Sequence, residues 1–154
     1  MSVAPRFAHT EVLTLDGPVE QVFPLFGPVL EKQWAHGWDP VIIYSDPPLA
    51  DHAGAIFTST QPGEPDTIWY VNRFDAGQHV IQYLRITPGR HFVVLDITCE
   101  ALEDARTRAS VTYQFTALSE DAGAAFDTLK QPHPTMVQHW QEAINQILRS
   151  HKAD

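Results

Sequence analysis

Between Val41 and Leu118 the chain divides into six apolar segments joined by short polar turns, and one long amphipathic helix follows them. The breaks are chemical. Asp46-Pro47-Pro48, Gln61-Pro62-Gly63, Asp75-Ala76-Gly77 and Pro88-Gly89 each set or relax φ where an extended chain must reverse. They delimit strands at Val41 to Ser45, Ala55 to Thr60, Thr67 to Phe74, His79 to Thr87, His91 to Leu102 and Arg108 to Leu118, with Glu103 to Arg106 as the last polar hairpin. Connections this short make neighbouring strands antiparallel. Beyond Pro132 and Pro134, Met136, Val137, Trp140, Ile144, Ile147 and Leu148 form one helical stripe, with Gln138, Gln141, Glu142 and Asn145 mostly off it. The stripe is expected to face the sheet.

The N-terminal segment Arg6 to Leu15 alternates with period two and is read as a first strand. Asp16 and Pro18 offer an N-cap oxygen and a preset helical φ to a short helix carrying Val19, Val22, Phe23 and Phe26. Pro24 should kink or end it. Val29 to Trp34 forms a second short helical turn, and Ser119 caps another running through Ala125. The connection Glu31 to Pro40 holds two of the four tryptophans, Trp34 and Trp38. Indoles in a Gly- and Pro-broken connection must cover a core or line a cavity.

Composition narrows the function classes. A chain of 154 residues with 44% hydrophobic residues reads as one domain, 1–154, able to bury a substantial core. Its net charge of −9 repels a phosphate backbone, so nucleic acid is not expected as a partner. No basic cluster recruits anionic lipid, and no apolar stretch approaches the length that spans a bilayer, so stable membrane insertion is not expected. The single Cys99, on an apolar alternating run, reads as a buried thiol. With no secretory pattern at the N-terminus, a reducing, cytoplasmic location is expected.

The order strand, two short helices, strand meander, C-terminal helix resembles the helix-grip fold of the START-like (SRPBCC) superfamily, which includes pollen-allergen-type ligand carriers and polyketide cyclase/dehydrase proteins. The resemblance covers nearly the whole chain. It is carried by Val22-Phe23-Pro24-Leu25-Phe26, Trp34 to Trp38, Ile43-Tyr44-Ser45-Asp46, Phe57, Trp69, Pro88-Gly89 and Thr116-Ala117-Leu118-Ser119. It implies an α+β fold, a curved antiparallel sheet wrapped around a long C-terminal helix, with an apolar cavity between them. It carries no universal catalytic motif and transfers no residue's role.

Candidate ligand-binding residues are Trp38, Phe57, Trp69, Tyr83, His91, Tyr113 and Trp140, aromatic side chains on nearly every element plus a histidine in the alternation class of Val93, Leu95, Ile97 and Cys99. Burial should lower the pKa of His91. Arg73 and Arg85 lie on adjacent strands and read first as outer-face partners of acids, while the resemblance implies that an inward arginine can meet a ligand carboxylate. Asp96 and Glu100 read as a solvent-facing row, and His133 as a residue at the start of the terminal helix. No histidine spacing fits a metal, and no nucleotide fingerprint occurs, so neither metal nor cofactor is expected. The reading is a binder of an apolar small molecule, lipid-like or aromatic. The alternatives are a cyclase or dehydratase using His91, Tyr83 or Tyr113, and an interaction module, a homodimer included.

Overall fold

The computed structural model describes residues 4–35, 38–46, 51–60, 62–124 and 134–152, the side chains at 134–138 and 151–152 apart. His36, Pro47, Pro48, Phe126 and His133, and the side chains of Met136 and Val137, lie outside the described residues. Strands β1 (Arg6–Leu15), β2 (Val41–Tyr44), β3 (Ile56–Ser59), β4 (Thr67–Asp75), β5 (Val80–Thr87), β6 (His91–Ala101) and β7 (Thr107–Ala117) form one sheet. Every pairing is antiparallel, in the order β1-β7-β6-β5-β4-β3-β2. Helix α1 (Val19–Val22), two 3₁₀ segments (Phe23–Phe26 and Leu30–Gln33), α2 (Glu120–Ala124) and α3 (Pro134–Lys152) complete it.

Strands β1 and β2 are consecutive along the chain but occupy opposite edges, so the α1 and 3₁₀ segments must cross the whole sheet. Their apolar side chains join the core: Val19, Val22, Phe23, Leu25, Phe26 and Trp34 are all buried. Pro24 has the expected effect, the α-turn giving way to a 3₁₀ turn at Phe23–Phe26.

At one end of the concave face the packing is dry. Leu13, Leu15, Val111, Ala109 and Cys99 meet Ile144 and Leu148 of α3, and Leu13, Leu15 and Ile144 are 0% exposed. Burial pushes the Cys99 thiol up to about 12, as expected of an inert core thiol. Thr107 donates its hydroxyl hydrogen to the Gly17 carbonyl, 2.8 Å.

Two local expectations are corrected here. Asp16 does not cap α1, whose N-cap position falls on Pro18 without a side-chain hydrogen bond. Its backbone N–H instead donates to Asn145 Oδ1 at 2.7 Å, and its carboxylate pairs with Arg149. Asn145, expected off the apolar stripe, is buried, because β1 is an edge strand whose unpaired N–H groups need acceptors. Gln141 serves the same purpose one turn earlier, accepting from the Thr14 N–H at 2.9 Å. Ser119 does cap α2, its Oγ accepting from the Ala122 N–H.

Candidate functional site

Period two and the strand register together decide which side chains meet on the concave face. One row runs across the sheet through Phe7, Phe115, Val93, Arg85, Trp69, Phe57 and Ile42. The next row runs through His9, Tyr113, Leu95, Tyr83 and Val71. Arg85 is therefore on the inner face. The outer-face ion pair read first for it is corrected, since it shares the parity of buried Ile81 and Tyr83. Arg73, by contrast, pairs with Asp75 at 3.5 Å on the surface. Asp96 and Glu100 take the outer face as expected, bonded to Gln82 and Arg108.

The candidate aromatics form two groups. Trp38, Phe57, Trp69 and Tyr83 contact one another, with Phe57 stacked on Trp69 at 5.5 Å and Trp38 edge-on to Trp69 at 5.3 Å. Tyr113 and Trp140 form the second group, their ring centroids 6.4 Å apart, with Trp34 edge-on to Trp140. His91 stands edge-on to Phe115, which stacks beside Tyr113.

Most of the polar handles on these rings hold the crossing segment in place. Trp34 Nε1 donates to the Leu25 carbonyl, Tyr83 Oη to that of Phe26, and Trp38 Nε1 to that of Pro28, each at 2.7 Å. Trp69 Nε1 donates to Ser59 Oγ at 2.9 Å. The first three bonds satisfy backbone carbonyls of the crossing segment, and that of Tyr83 ties it to the sheet.

What remains is a set of titratable groups enclosed by the fold. Glu31, Arg85 and Tyr113 are surrounded on nearly all sides by protein, yet each retains water-accessible surface. Each is thus largely desolvated without being fully buried. Among the described residues none of the three makes a side-chain hydrogen bond or ion pair. Burial alone raises the Glu31 carboxyl to about 8. The Tyr113 hydroxyl is raised mainly by burial, and Arg85 is lowered by burial with Tyr113 partly opposing. The charges of Arg85, which lowers its pKa, and of Glu31, which raises it, both act on the Tyr113 hydroxyl.

Arg85 has an unusual seat. Its guanidinium lies 5.3 Å from the Trp69 ring centroid and 5.6 Å from that of Phe115, and its Nε is buried without a partner. His91 lies close by, with Nδ1 buried and unpaired, and burial together with the Arg85 charge lowers its pKa as expected. Asp51 supplies one more unpaired buried oxygen. Its Oδ1 would sit 2.4 Å from a Cβ at residue 27, so a larger residue at Gly27 would have to displace the Asp51 carboxylate. Burial raises the Asp51 pKa while His52 lowers it.

Glu31, Asp51 and the pair His9–Glu11, 2.5 Å apart on β1, were not singled out from the sequence. The alternation of Leu13 and Leu15 could have found His9 and Glu11, which share their face. Nothing local marks Glu31, whose position follows from the crossing of its segment. Among the described residues no group of His, Cys, Asp and Glu is arranged to hold a metal ion.

Solved structures share this architecture over nearly its full length. A point mutant of norcoclaurine synthase from Thalictrum flavum, in complex with a transition-state analogue, has a TM-score of 0.73 at 13% identity, covering 99% of both chains. The Zhui aromatase/cyclase from a Streptomyces species has a TM-score of 0.67 at 15% identity, covering 92% of this chain and 93% of its own. Ara h 8.0201 has a TM-score of 0.63 at 14% identity, covering 91% and 98%. The chain has the START-like helix-grip fold. No family model and no curated protein matches its sequence. No described helix is long and apolar enough to cross a membrane.

Proposed function

We propose that the protein binds an apolar, aromatic small molecule between the concave sheet and α3. The observation that carries this reading is the largely desolvated set Glu31, Arg85 and Tyr113, left without side-chain hydrogen bonds or ion pairs, with Arg85 against Trp69 and Phe115 and Tyr113 against Phe115 and Trp140. Leaving such groups unpaired costs stability, and an interior ligand with a few oxygens offsets that cost. Solved structures of the same fold include norcoclaurine synthase with dopamine and hydroxybenzaldehyde, both small aromatic molecules. The test is titration with a neutral, apolar fluorophore such as Nile red. One-to-one binding to the native protein, insensitive to salt, is expected. A signal confined to partly denatured protein would count against an interior site.

A second reading, proton transfer beside a substrate carbonyl as in a cyclase or dehydratase, is favoured by Glu31. A carboxyl held near pKa 8 titrates close to neutral operating conditions, as a general acid or base requires. Tyr83 is a poorer candidate than Tyr113, since its hydroxyl hydrogen already goes to Phe26. Solvent deuterium exchange at the α-carbon of a bound aryl ketone would reveal such chemistry. Loss of exchange in Glu31→Gln, with Nile red binding retained, is the expected result.

A further inference from the structure

We propose that the ligand is an aromatic carboxylate whose anionic group binds in the plane of the Arg85 guanidinium. The inference rests on the interior site above and names the chemistry of its occupant. The guanidinium lies against two aromatic rings, 5.3 Å from the Trp69 centroid and 5.6 Å from that of Phe115. Neither ring gives the guanidinium a hydrogen-bond acceptor, and its Nε is buried without a partner, whereas its planar N–H fork is the edge a carboxylate meets with two parallel hydrogen bonds. Among the described residues no acid occupies that edge, and Glu31, the carboxyl enclosed with it, makes no ion pair.

The uncompensated charge is felt nearby. His91 is pushed toward its neutral form by Arg85 as well as by burial, which an anion seated on Arg85 would relieve. The register supplies the rest of the ligand's surroundings. Val93 and Trp69 are the direct neighbours of Arg85 across the sheet, and Phe115 and Phe57 lie one strand further on either side. A flat apolar body joined to a carboxylate fits that row. A preference for an anion would also oppose the protein's net charge of −9, so long-range attraction cannot produce it.

Calorimetric titration with 2-naphthoate and with its neutral counterpart 2-naphthylmethanol tests the inference. The wild-type protein should bind the carboxylate about tenfold or more tightly, the worth of a charge-assisted bidentate contact. Arg85→Gln should bring 2-naphthoate down to the affinity of the alcohol and leave the alcohol unchanged, with Arg85→Lys intermediate. The His91 ring signal, followed by NMR, should titrate at higher pH with 2-naphthoate bound and stay in place with the alcohol. That readout needs no variant, so the test survives if Arg85→Gln fails to fold. Equal affinities for the two probes in the wild type, or an unmoved His91, would overturn the carboxylate assignment while leaving the interior site standing. If neither probe binds, both fall.

Discussion

The two ends of the concave face are built from the same strands and the same period, yet they have opposite contents. One end closes on Leu13, Leu15, Ile144 and Leu148, with the buried hydroxyl of Thr107 already bonded to a carbonyl. The other encloses a carboxyl, a guanidinium, a phenol and an imidazole, and leaves them unpaired among aromatic rings. A fold needs the first end for stability and gains nothing from the second. The difference separates the part of the sheet packed on Ile144 and Leu148 from the part that holds these unpaired groups.

The contrast predicts opposite signs for mutations at the two ends. Leu148→Ala should give the largest effect, a loss of about 2–5 kcal/mol, because its side chain fills the space against Gly17 in the dry core. Chemical denaturation measures it, and a loss below that range would mean that this end is not the dry one.

Glu31→Gln should do the reverse and stabilise the free protein, by an amount that depends on pH. The unfolded chain ionises this carboxyl near 4.5, whereas the native protein keeps it protonated to about 8. Between those values the native state binds the extra proton, so Glu31 lowers stability progressively as pH rises. The gain in Glu31→Gln should be near zero at pH 4 and on the order of 2–4 kcal/mol at pH 8, discounted for the group's residual access to water. Denaturation at the two pH values would show it, and a pH-independent difference would remove Glu31 from the enclosed site.

Thr107→Val keeps the shape of the dry end but orphans the Gly17 carbonyl, and should cost about 1–3 kcal/mol. Arg85→Met sharpens the comparison most finely. Removing an enclosed, unpaired cation should raise the melting temperature of the ligand-free protein slightly, by about 1 kcal/mol equivalent. A destabilised Arg85→Met would place Arg85 with the framework and erase the distinction between the ends.

Trp140 shows how a sequence pattern and the tertiary environment divide the account. Its place on the helical stripe with Ile144 and Leu148 is legible in the residues, and those two are buried as the stripe requires. Trp140 itself is only partly buried, against Trp34 and Tyr113, because it stands where the dry core gives way to the enclosed polar groups. Arg85 is a different case. Its inward direction is contained in its alternation with Ile81 and Tyr83, although its charge argues for the outer face.

The sequence by itself determined what depends on near neighbours along the chain: the strand boundaries at Gly and Pro, the period-two alternation of strand faces, the break in the helix at Pro24 and the amphipathic terminal helix. Only the tertiary structure decided that the segment between β1 and β2 crosses from one sheet edge to the other. That crossing brings Glu31 and the Phe26 and Pro28 carbonyls over residues distant in sequence, Tyr83 and Tyr113 among them. The enclosure of a carboxyl and its raised pKa are products of surrounding protein that no local pattern encodes, because desolvation depends on what the whole chain packs around the group.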